Sequence, residues 1–339
     1  MSRLLLILSR LGQAVPTVFG ILVVTFLMTR ALPGDPAAFF AGPAATPESI
    51  AEIRSSLGLD KPLPTQFAIY IQDLFKGDLG FSLTTGQPVL SDLGQRLPAS
   101  LELTLVALAI SVSVAIPLGI LAALRQDTWV DQICRFTVTA GVSLPTFFTG
   151  LVLVYVFYFL LGIAPTPIGR IDIVSLPPPH VTGFYLIDAP LSGDWETAWS
   201  ALKQLILPSV TLALFTLAPL ARMTRAAMLQ ALGSEYIRTA RACGLPWNKV
   251  LVSYALRNAF LPVITTLGMV FSFSLGANVL VEKVFSWPGI GSYAIEALVV
   301  SDYAAVQGFV LSMAFLFVFL NLCVDIAYTL IDPRVKIDA

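Results

Sequence analysis

One histidine, His180, three cysteines, Cys134, Cys243 and Cys323, and one carboxylate well inside an apolar run, Asp325, are the residues of this 339-residue chain from which metal, redox or acid–base chemistry would have to be built. Their spacing assembles none of it. His180 stands alone in a proline-rich stretch (LPPPH), so neither an H-E-x-x-H pair nor a Cys/His metal set can form around it. The cysteines are odd in number, far apart and outside the long polar connections where an oxidising compartment favours disulfides, and they read as packing residues. A lone intramembrane aspartate cannot supply the pair that a diaspartyl protease needs. No G-x-x-x-x-G-K-[ST] occurs, so the chain has no P-loop to cradle nucleotide phosphates. The expectation is a protein that is not an enzyme, with no catalytic residue, no metal and no cofactor of its own.

The residue spacing that does carry information lies in a basic connection, where Arg222, Arg225, Arg238, Arg241, Lys249 and Arg257 stand against one acid, Glu235. The stretch EYIRTARACGLPWNKVLVSYALRN reads as two short amphipathic helices separated by a turn at Gly244, Leu245 and Pro246. In the first, Tyr236 or Ile237, Ala240 and Cys243 fall at helical spacing on one apolar face; in the second, Trp247, Val250, Leu251 and Tyr254 do the same. Such a pair can lie on lipid headgroups, brace a helix bundle from below, or insert into a groove on another protein.

The elements that must hold this pair are apolar. With 56% hydrophobic and 12% charged residues and a mean hydropathy of +0.82, the chain is read as all-α and polytopic in a membrane. A hydrocarbon core of about 30 Å needs around 20 apolar residues in a helix. Six segments qualify, at about 11–29, 101–124, 136–161, 205–221, 259–281 and 305–330. Internal prolines at Pro16, Pro117, Pro145, Pro208, Pro219 and Pro262 are tolerable in such helices. The first segment reads as a retained helix rather than a cleaved signal, because its apolar run is long and no small-x-small site follows. The excess of Arg and Lys places the 222–258 connection in the cytoplasm. Six spans then put both termini there too, in agreement with Arg3, Arg10, Arg334 and Lys336.

The organisation expected is therefore a first helix over 1–30, an outer, periplasmic helical loop over 31–100, and a five-helix core over 101–339. From Asp35 to Glu102, at the very start of the next span, stand eight acids against four bases after Arg30. Thr46 can cap a helix that has Pro47 in its first turn and Gly58 at its end, and a second amphipathic run from about Pro64 ends at Gly77. The connection from about 162 to 204, net acidic and rich in proline and tryptophan, belongs on the same side. Both loops read as a solvated lid or as a docking surface for an external partner.

Glu235 to Ala242, then Gly244, then Ala255, Leu256, Arg257, Asn258, Ala259, Leu261 and Pro262 resemble the EAA loop of binding-protein-dependent ABC importers, in the version of the peptide permeases. Arg238, Thr239 and Ala240 stand where the general pattern has an acid and two alanines, and Tyr254, Leu256 and Arg257 replace its I-x-L-P; both departures resemble the peptide branch. Pro33–Pro36, Gly77–Gly80 with Ser82, Arg222–Arg225, Phe285–Gly291 (FSWPGIG) and the 182–188 stretch extend the resemblance over about 300 residues, most similar to the dipeptide-type B permease subunit.

The resemblance implies a type I ABC importer permease fold in a bacterial inner membrane. It implies a second homologous permease, two cytoplasmic ATPase subunits that bind ATP and Mg, and an external solute-binding protein. Dipeptides or short peptides are the implied substrate, with a nickel chelate, haem or glutathione as the alternatives within the same architecture. Glu235, Tyr236, Ile237, Arg238, Thr239, Ala240, Arg241 and Gly244 are then the residues that dock on an ATPase, and its closure drives alternating access. Polar residues inside spans are candidates for the substrate path: Ser272, Ser274 and Asn278 in the fifth span, with Asn321 and Asp325 in the sixth. Serine and asparagine in such helices equally bond neighbouring helices, and Asp325, close to Asp332 and Arg334, equally reads as a helix-end cap. A stand-alone ion-coupled transporter would call for several buried ionisable groups and an inverted repeat, and neither is evident.

Overall fold

The computed structural model describes residues 3–31, 35–42 and 45–331, and among these every regular element is helical. In chain order these are α1 (Arg3–Ala31), α2 (Pro36–Ala41), α3 (Pro47–Ser56), α4 (Leu63–Phe75), α5 (Val89–Leu124), α6 (Trp129–Val142), α7 (Thr146–Leu153), α8 (Tyr185–Leu191), α9 (Trp195–Leu232), α10 (Glu235–Ala242), α11 (Trp247–Lys249), α12 (Arg257–Val284), α13 (Ile290–Val299) and α14 (Tyr303–Ile331). Wider π-turns prolong α7 over Val154–Leu160 and join α11 to α12 over Val250–Leu256. An isolated bridge pairs Phe81 with Pro88.

Four helices are long and apolar enough to cross a bilayer: Val89–Leu124, Trp195–Leu232, Trp247–Val284 and Tyr303–Val324. A fifth crossing requires Trp129–Gly141 and Thr146–Leu160 to be one span bent by 97°. The sequence reading made 136–161 one helix with Pro145 inside it. Pro145 instead caps α7, in keeping with its hostility to helical backbone in the residue before it. The first expected span lies in α1, of which Val15–Met28 forms a 14-residue apolar stretch within the described residues. The spans also start and end outside their apolar cores: α5 begins twelve residues before the expected position 101, and α9 runs over 38 residues.

The chain forms two compact units. The first comprises residues 1–98 and 289–319. Its core gathers Val89 and Leu93 with Ile290, Tyr293 and Ala297 of α13 and Ala305 and Val306 of α14. Thr46 caps α3 as the sequence requires, accepting from the Ser49 N–H at 3.3 Å, and α3 and α4 end ahead of left-handed Gly58 and Gly77. The amphipathic face of α4 lays Phe67 and Tyr70 on Phe26 of α1.

The second unit comprises 99–288 and 320–339. Ala99, Leu103 and Ala107 of α5, Leu205, Leu212 and Ala213 of α9, and Val281, Phe285 and Trp287 form one buried cluster. The indole N–H of Trp287 donates to the Ala99 carbonyl at 3.0 Å, which gives the FSWPGIG stretch its anchor. Gly119 marks a close approach of α5 to α9. A Cβ there would lie 2.6 Å from Thr224 Cβ and 2.8 Å from the Ala221 carbonyl, so only glycine lets the two backbones meet. Arg225 of α9 holds Asp131 of α6 through both carboxylate oxygens, Nε to Oδ1 at 2.7 Å and Nη2 to Oδ2 at 2.6 Å.

Candidate functional site

Helix α10 is eight residues long, too short to persist in water on propensity, so its tertiary seat must hold it. Ile237 and Ala240 supply that seat. Both are buried, in a cluster with Ala123 of α5, Ala227, Met228 and Ala231 of α9, and Val250, Ala255 and Ala259. The helix entry is fixed by Ser234, whose hydroxyl donates to the Ala231 carbonyl at 2.5 Å.

The exit is a Schellman turn. Gly244 takes φ +74°, its N–H donates to the Arg241 carbonyl at 3.0 Å, and the Leu245 N–H reaches back to the Ala240 carbonyl at 3.2 Å. Leu245 then packs against the same cluster that holds Ala240. This geometry reverses the chain between α10 and α11, and it is why the sequence spends a glycine at 244.

With one face buried, the other is presented. Glu235, Tyr236, Arg238, Thr239, Arg241, Ala242, Cys243 and Gly244 are exposed. Arg238 pairs with Glu235 one turn back at 2.9 Å, the Thr239 hydroxyl donates to the Glu235 carbonyl at 3.0 Å, and the Arg241 guanidinium stacks 4.3 Å from the Trp247 ring. The face is thus polar and cationic, stiffened by short-range contacts.

Two details of the sequence reading change. Of the alternatives Tyr236 and Ile237 it is Ile237 that takes the apolar face, with Tyr236 exposed, and Cys243, assigned to that face, lies on the exposed side because the helix ends at Ala242 before its period reaches residue 243. The second amphipathic segment is no short helix but the first turns of the span Trp247–Val284, with Val250 buried and Trp247 exposed. Of the three cysteines read as packing residues, only Cys134 is buried; Cys243 and Cys323 are exposed.

The residues proposed for a substrate path do not converge. Ser274 is buried and donates to the Phe271 carbonyl of its own helix at 2.7 Å, and Ser272 donates to Gly268 at 3.2 Å. Asn321 is exposed, and the side chain of Asp325 lies outside the described residues. Among the candidates whose side chains are described, Asn278 alone bonds another helix: its amide donates to the Ser100 carbonyl and the Thr104 hydroxyl of α5, both at 3.4 Å, and to Glu282 Oε1 at 3.0 Å. Ser100 also donates to Glu282, which is fully buried.

Glu282 is the residue that the sequence reading missed, its span having been ended at 281. The signal was present. Asn278 with Glu282, and Ser100 with Thr104, are two i,i+4 polar pairs, the spacing that puts both members on one face. A second buried group was also passed over: Arg170 bonds Glu102 at 2.5 Å and the Gly183 carbonyl at 2.8 Å.

Known proteins share this pattern of sequence over its whole length. Residues 115–337 match the family model described as binding-protein-dependent transport system inner membrane component, and residues 1–104 match the N-terminal model of the same membrane components. The chain is similar to the probable D,D-dipeptide transport system permease protein DdpB of Escherichia coli K12, at 45% identity over 327 residues covering 96% of each chain. It is also similar to the dipeptide transport system permease protein DppB of Alkalihalophilus pseudofirmus, at 39% identity over 97% of this chain and 98% of the relative. The DppB protein of Escherichia coli K12 matches at 39% identity over the same shares. With matches spanning both units and a helical architecture with several apolar spans, the chain is a multi-pass membrane protein that belongs to the family of inner membrane components of binding-protein-dependent transport systems.

Proposed function

We propose that this chain is one half of the translocation path of an ATP-driven importer of dipeptides or short peptides, and that α10 is where cytoplasmic ATPase motion enters it. The observation that carries the reading is the division of α10 into a buried anchor, Ile237 and Ala240, and an exposed polar face, Glu235, Arg238, Thr239 and Arg241. A helix wedged this way transmits a rigid displacement to α5 and α9, whose ends share its cluster. The lipid-headgroup use is less favoured: the exposed face carries Glu235 and an internal ion pair, and Arg241 stacks on the neighbouring Trp247.

A binding-protein-dependent system supplies the remaining parts from other chains: an external solute-binding protein, two ATPase subunits holding ATP and Mg, and a second permease that completes the path. Peptides as cargo are supported by the names of the relatives, which are dipeptide and D,D-dipeptide permeases. The basic connection 222–258 and both termini lie on the cytoplasmic side in this reading, and residues 31–100 on the outer side. Alternating access follows when ATPase closure is favoured in one state by contacts with α10 that the other state lacks.

Reversing both cations, Arg238→Glu with Arg241→Glu, is expected to abolish peptide uptake and the dependence of ATPase activity on the loaded binding protein, with membrane levels of the chain unchanged. Both side chains are exposed, so the fold is left intact. Normal uptake and normal coupled hydrolysis in the double variant would remove α10 from the coupling role.

A further inference from the structure

A cavity of about 370 Å³ in the first unit is lined by charges of both signs, among them Arg30, Asp73 and Asp78, together with Tyr70 and the apolar Leu79 and Phe81. We propose that it binds a small zwitterion, a free peptide in particular, with the carboxylate on Arg30 and the ammonium at Asp73 and Asp78. The zwitterion class stands on the cavity alone; only the choice of a peptide rests on the proposed function.

Arg30 is held ready for an anion. Its guanidinium lies 4.9 Å from the ring centroids of both Phe26 and Tyr303, and its Nε donates to Gln66 Oε1 at 2.9 Å. Two rings and an amide fix the plane of the fork, and among the described residues no carboxylate pairs with it. A half-buried arginine oriented without a counter-anion leaves its terminal N–H groups for bidentate capture of a carboxylate.

Tyr70 adds a second unspent group. Its hydroxyl is buried and makes no hydrogen bond, an uncommon state for a buried polar atom, while the residue itself lines the cavity wall. On the acidic side, Asp73 has only an exposed contact with Lys76 at 3.3 Å, and Asp78 spends one oxygen on the Gly80 N–H at 2.8 Å. Asp302 also lines the cavity but is committed to the fold, accepting from Ser82 at 2.7 Å, from Thr84 and from the Ala305 N–H. The free anionic capacity is therefore at Asp73 and Asp78. The volume sits at the small end of ligand pockets, which suits a molecule of a few residues.

The test uses the full-length chain in lipid nanodiscs, with dialanine, N-acetyl-dialanine and dialanine amide titrated by calorimetry. Dialanine is expected to bind saturably, and blocking either end to weaken binding by about tenfold or more. Arg30→Gln is expected to weaken dialanine by a similar factor and to erase the preference for dialanine over its amide. Asp73→Asn with Asp78→Asn, which removes the charge and keeps the acceptor on the Gly80 N–H, is expected to weaken dialanine by about tenfold and to erase the preference for dialanine over N-acetyl-dialanine, and it carries the test if Arg30→Gln does not fold.

Absence of saturable binding up to about 10 mM, a free energy weaker than about −3 kcal/mol, overturns the site, as does equal binding of the blocked forms or wild-type affinity in the Asp73→Asn, Asp78→Asn chain. Uptake by the assembled importer is read separately. Peptide uptake with no such binding overturns this site alone, whereas end-group-dependent binding without uptake overturns the transport reading alone.

Discussion

At the scale of single residues, the carboxylate of Asp188 shows how a short polar side chain organises a long connection. Asp188 is buried in α8, and its two oxygens collect the Thr182 N–H at 2.9 Å, the Thr182 hydroxyl at 2.7 Å, the Gly183 N–H at 2.8 Å and the Val181 N–H at 3.3 Å. Burial alone would raise its pKa; the donors from Thr182, Gly183 and Val181 outweigh it and hold the carboxyl below its ordinary 3.8. The folded state therefore favours the ionised form. Its contribution to stability is full above the ordinary carboxylate range and is lost as pH falls through and below about 4. Melting of the detergent-solubilised chain should hold level from neutrality to about pH 5 and fall below pH 4. Asp188→Asn should lower the neutral melting temperature and shrink its gap to the wild type in acid; a constant gap at all pH values would show that ionisation is not what the cradle stabilises.

At the scale of elements, the Arg170 clamp binds the 162–184 connection to α5. Arg170 bonds Glu102 and the Gly183 carbonyl and stacks 3.5 Å from the Tyr185 ring, while the Leu186 N–H donates to the other Glu102 oxygen at 2.8 Å. Both charged side chains are almost fully buried. Removing one partner strands the other, so Glu102→Gln should cost about 3–5 kcal/mol, and the paired change Glu102→Leu with Arg170→Met should recover much of that loss. Thermal melting of the three chains decides it: a pair that is merely decorative would leave the single variant unchanged.

Elements of this kind also mark what sequence can show. Caps are local chemistry, and so Thr46, Gly58 and Gly77 delimit α3 and α4 as expected. The anchor of α10 follows from a period that four residues suffice to set. The Glu102 clamp has no local signature, because its partners lie 68 and 84 residues away. Helix length was equally hidden: hydropathy sees the part of α9 that lipid would cover and not the polar turns that continue it to Leu232.

At the scale of the whole molecule, the division into two units explains why reading along the chain captured class better than architecture. Residues 289–319 join the unit begun by 1–98, after 99–288 has formed the other, so the continuous helices α5 and α14 each contribute to both. The unit boundaries after 98 and after 319 fall within helices, and the one after 288 falls between α12 and α13. The proposed orientation, with the basic connection in the cytoplasm, has a native reporter in Cys243. Cys243 is exposed at the end of α10, so replacing Cys134 by Ala and Cys323 by Ser leaves one thiol on the proposed coupling surface. A membrane-impermeant maleimide should label it in inverted vesicles and not in spheroplasts, while Gln87→Cys, at an exposed position of the outer segment, should show the opposite pattern in a chain lacking the native thiols. Because Cys243 borders Arg238 and Arg241, assembly with the ATPase subunits should slow its labelling several-fold, and the Arg238→Glu, Arg241→Glu pair should restore the free rate. Labelling of Cys243 from outside would invert the topology and, with it, place α10 beyond the reach of any cytoplasmic motor.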